Sequence, residues 1–74
     1  MGYKETLLDT LKNMRKGAKM TRDCLESVQT DVKEIPKIRK HVDEHILKTA
    51  LVNSVQLMNS LDLMIHDLER DTDD

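Results

Sequence analysis

The residues best suited to chemistry in this chain are the two histidines of the stretch "HVDEH", His41 and His45. On a single helix, imidazoles four residues apart share a face and can clamp a metal ion, with a neighbouring carboxylate as a third ligand or a base. The plainer reading is a solvated face on which Lys37, His41, Glu44 and Lys48 stand at helical spacing and pair locally. A zinc site needs further ligands. The chain has one cysteine, Cys24, no C-x-x-C pair, and a third histidine, His66, far along the sequence. Cys24 therefore reads as a packed thiol.

The spacing H-x-x-E-H resembles the zinc-binding motif of the inverzincin metalloproteases. In that family the third ligand is a distant Glu in a much larger domain. Here 29 residues follow His45, and the likeness covers five residues. A second short stretch, "SLDLMI" at 60–65, resembles the E-L-D-x-L-I core of small helical-hairpin phosphatases acting on sporulation response regulators. The Ser-Gln that precedes that core is Met58-Asn59 here, and the family's glycine-containing loop is missing. Neither likeness carries a catalytic residue onto this chain. The reading is of a non-enzymatic protein without metal or cofactor. "MGYKET" fits the myristoylation pattern at Gly2 and Thr6, but the bulky Tyr3 disfavours it, and Thr6 with Asp9 reads as a helix-capping pair.

Composition explains why catalysis is a poor fit. Seventy-four residues bury little surface when they fold alone, and one cysteine cannot staple them internally. Tyr3 is the only aromatic residue, 35% of residues are charged, and there are two glycines and one proline. Such a chain makes long helices. Without a secretory h-region or a membrane-length apolar run, the expectation is an intracellular protein, cytoplasmic or nuclear.

The elements follow from periodicity. Leu7, Leu11, Met14, Ala18, Thr21, Leu25, Val28, Val32 and Ile35 alternate steps of four and three. That spacing predicts a continuous helix over about 4–34 with a coiled-coil-like seam of Leu11, Met14, Ala18, Leu25, Val28 and Val32. The phase passes through Gly17 unbroken and fails at Pro36. "KEIPK" therefore closes one helix and opens another, with a turn near 34–36 and a second helix over about 36–69. A rod kinked at Pro36 is the other arrangement. Between Ile46 and Leu68, 13 of 23 residues are Ala, Val, Ile, Leu or Met, an arc wider than one neighbouring helix covers. Residues 70–74 read as a disordered acidic tail. The predicted fold is all-α: an antiparallel helical hairpin over 1–69 that completes a helical bundle by oligomerisation.

Charge divides the chain, with ten Lys/Arg against six Asp/Glu over 1–40 and two against eight over 41–74. Lys12, Arg15, Lys16, Lys19 and Arg22 form a basic stripe beside the seam. A hairpin folded near residue 35 sets that stripe opposite residues 48–58, which hold no acid, so its partner is expected outside the hairpin. The functional expectation is a protein–protein interaction module, a small coiled-coil subunit that self-associates, most simply as a homodimer, or joins other helical proteins. Its expected interface is Leu47, Leu51, Val55, Met58, Leu61 and Ile65. The alternatives are a dimer binding nucleic acid through the basic stripe, disfavoured by the missing aromatics, and an inhibitor that folds on its target.

Overall fold

The computed structural model describes residues 2–70 and contains three helices: α1 (Tyr3–Glu34), α2 (Pro36–Arg39) and α3 (Glu44–Arg70). The long helices α1 and α3 lie antiparallel against each other: Lys12 meets Glu69, Arg15 meets Asp62, and Val32 lies near Leu47. The hairpin arrangement holds, and the kinked rod does not. α1 runs through Gly17 without interruption. It begins at Tyr3, so Thr6 lies inside it and accepts a bond from the Thr10 hydroxyl at its carbonyl instead of capping with Asp9.

The connection departs from expectation. Pro36 opens only the single turn of α2, and the second long helix starts at Glu44 instead of 36. Two local interactions favour this break. The Arg39 guanidinium donates to the carbonyls of Val32 (3.4 Å) and Lys33 (3.3 Å), which the end of α1 leaves without helical partners. Asp43 then caps α3, its Oδ1 accepting from the backbone N–H of His45 (2.9 Å) and Ile46 (3.3 Å). Half-buried Val42 and buried Leu47 occupy the flanking positions of a hydrophobic staple, which fixes the angle of entry. Arg70 ends α3 within the helix, and the remainder of the expected tail, Asp71–Asp74, lies outside the described residues.

The core is one thin seam. On α3 the inward residues are Leu47, Leu51, Ser54, Met58, Leu61, Ile65 and Leu68, alternating steps of four and three. On α1 they are Leu8, Leu11, Arg15, Ala18, Arg22, Leu25, Gln29 and Val32, stepping likewise. Two of the six residues of the expected α1 seam, Met14 and Val28, are therefore displaced. Leu11, Ala18, Leu25 and Val32 face α3, but Leu7, Met14, Thr21 and Val28 are turned outward, and Leu8 and three polar residues replace them. Arg15 and Arg22 are half-buried along the seam, and the guanidinium Nε of Arg22 is enclosed there without a hydrogen-bond partner. Among the described residues only Val32 and Leu61 are almost fully enclosed.

Candidate functional site

The "HVDEH" stretch is a helix start. Its aspartate caps α3, His45 is the second residue of that helix, and exposed His41 precedes it in the connection. The two imidazoles do not share a helix face, and the local set of Lys37, His41, Glu44 and Lys48 is likewise not aligned on one helix. Among the described residues, no three His, Cys, Asp or Glu side chains are grouped to hold a metal ion.

The basic stripe meets its charges inside the hairpin. Arg15 binds Asp62 as a fork, Nε to Oδ1 at 2.8 Å and Nη2 to Oδ2 at 3.3 Å, and Lys12 reaches Glu69 at 3.1 Å. These hydrogen bonds hold the Asp62 carboxyl below its ordinary range, with partial desolvation opposing. Arg22 pairs with Asp23 at 2.9 Å on its own helix, with Glu26 adding to the field that raises the guanidinium pKa. Lys12 and Arg15 find acids within the hairpin because the connection is longer than a turn at 35, whereas the partner of Arg22 is its own neighbour on α1. The helices pair about a point near residue 39, which brings the acids of α3 opposite the stripe. Lys16 and Lys19 make no ion pair among the described residues.

Both ion pairs that cross between the helices lie on one broad side of the hairpin. The other side is different. There α1 presents Leu7, Met14, Gly17, Thr21, Cys24 and Val28. Beside them α3 presents Ile46, Ala50, Asn53, Leu57, Ser60 and Met64. None of these twelve side chains carries a formal charge. Leu7, Met14, Val28, Leu57 and Met64 are 37–49% exposed, as side chains are when helix packing covers only one of their flanks. Two open grooves flank Thr21: one of about 520 Å³ between the helices, lined by Ala18, Ala50, Asn53 and Leu57, the other of about 420 Å³ along α1, lined by Gly17, Met20, Cys24 and Val28. Holes of this kind receive side chains of a facing helix. Cys24 is exposed in the second groove and not packed away.

The expected interface residues divide differently. Leu47, Met58 and Leu61 are buried between α1 and α3, with Leu51 and Ile65 half-buried beside them. They join the hairpin's own halves. Val55 is exposed, on the side of the ion pairs. The outward residues Ile46, Ala50, Leu57 and Met64 belong to the wide apolar arc read for the second helix, and which part of that arc turns inward depends on the register with α1. No helix among the described residues is long and apolar enough to cross a membrane. Comparison with models of protein families, with curated protein sequences and with solved structures returns no match.

Proposed function

We propose that the protein is a non-enzymatic interaction module: a helical hairpin that docks through its uncharged broad side onto other helices to complete a bundle. One observation carries the reading. In a chain with 35% charged residues, a face over 14–28 of α1 and 46–64 of α3 holds none, bounded at its ends by Asp31 and Asp67, while the cross-helix ion pairs gather on the opposite side. An uncharged apolar stretch of this length marks a contact surface, since water solvates it poorly and monomers seldom expose one. The small core supports the same conclusion, because a seam interrupted by two arginines and a glutamine buries little apolar area and covering a second face adds what it lacks.

The basic stripe offers less. Three of its five cations already sit against carboxylates, so a nucleic-acid reading gains nothing from the geometry. The test compares two single charges placed on exposed apolar positions of α3. Leu57→Glu lies in the uncharged face, and Val52→Glu points away from it. In size-exclusion of extracts from cells expressing the tagged chain, wild type and Val52→Glu elute as a complex larger than the hairpin. Leu57→Glu elutes as the free hairpin. Co-elution of Leu57→Glu with wild type overturns the reading.

A further inference from the structure

We infer that the occupant of the uncharged face is a second copy of this chain, packed so that a partner helix approaches the backbone closely at Gly17. The inference rests on the docking reading above and names its partner. Gly17 is the starting point. It sits in the middle of α1, with no positive φ, and a Cβ built on it meets nothing within 4 Å. Neither a turn nor the hairpin's own packing calls for glycine there, yet glycine inside a helix is worse than alanine. Close approach from outside supplies the missing reason, and Gly17 opens onto the groove that it shares with Met20, Thr21 and Cys24.

Size and chemistry then select the partner. The hairpin measures 56 × 16 × 13 Å across its Cα positions, so its broad side matches in order of magnitude the roughly 800 Å² that each partner gives to a standard interface. A lone helix seated in the central groove leaves wet the separate groove of Gly17, Met20 and Cys24 along α1 and the exposed Ile46 of α3, whereas a hairpin of equal width covers both flanks. The partner must also be uncharged over the same length and carry bulky side chains beside small ones. This chain's own face does both: Leu57, Met14 and Met64 are its knobs, and Gly17 and Ser60 form its narrow waist. Two such faces make an isologous twofold contact, and the product is a four-helix bundle.

Sedimentation equilibrium of the purified full chain tests this. The expected result is a dimer that Gly17→Ala weakens by about tenfold or more, because the added methyl overpacks the approach. Circular dichroism at dilutions where both proteins are monomeric then shows Gly17→Ala at least as helical as wild type, which excludes misfolding as the cause. A helical monomer at the highest soluble concentration overturns the second copy, and if the complex in extracts persists, the docking reading survives with a different partner. A dimer as tight in Gly17→Ala as in wild type also overturns the inference, since nothing then approaches Gly17.

Discussion

Asp43 and Asp62 show how single carboxylates act in this molecule. Asp43 satisfies two of the N–H groups that open α3, and its replacement leaves them to water. Asp43→Ala is expected to lower stability by about 1 kcal/mol, the usual cost of losing such a cap, measured by urea denaturation. Asp62 acts through Arg15. Because its folded pKa lies below the unfolded value, its stabilising contribution is present above the unfolded carboxylate pKa and is lost as pH falls through the folded one. The pair is exposed, so the effect on stability is small and the titration itself is the better readout. Arg15→Gln is expected to move the Asp62 carboxyl titration upward to the ordinary range by carbon NMR. An unmoved titration means that the fork does not exist in solution.

At the scale of elements, the α1–α3 seam is short of apolar material, and Leu61 is its most enclosed side chain, 1% exposed. Leu61→Ala removes buried carbons and leaves a cavity, typically about 2–5 kcal/mol. That loss rivals the whole stability of a domain this small. The expected outcome is loss of cooperative unfolding by circular dichroism, while Leu63→Ala, on the outward side of the same helix, changes the midpoint little. The rows of this seam were only partly legible. Leu11, Ala18, Leu25 and Val32 stand in the middle of the α1 apolar arc and face inward whichever way the helix turns by a small rotation. Leu7, Met14, Thr21 and Val28 flank them, and their fate depends on which edge the register with α3 presents. Arg15 and Arg22 read as surface cations, because composition does not reveal that an arginine can lie half-buried in a seam. The start of α3 was concealed by Pro36, a sound helix opener that here begins one turn only. The cap at Asp43, with Val42 and Leu47 around it, carried the true signal inside the stretch that looked like a metal site.

For the whole molecule, the sequence disclosed a hairpin with apolar surface left over. It did not disclose where that surface lies, since its location follows from the long connection and the shifted pairing. The same connection decides something further. The seam between α1 and α3 is indifferent to covalent linkage: an α3 supplied by a neighbouring chain satisfies the same residues equally well. What ties each α3 to its own α1 is residues 35–43, folded back by Pro36, by the Arg39 bonds to the end of α1 and by the Asp43 cap. If that segment straightens, the two long helices become one rod, and two rods can exchange halves while keeping every seam contact. Strand exchange between molecules is thus held off by a few hydrogen bonds in the connection and not by the core.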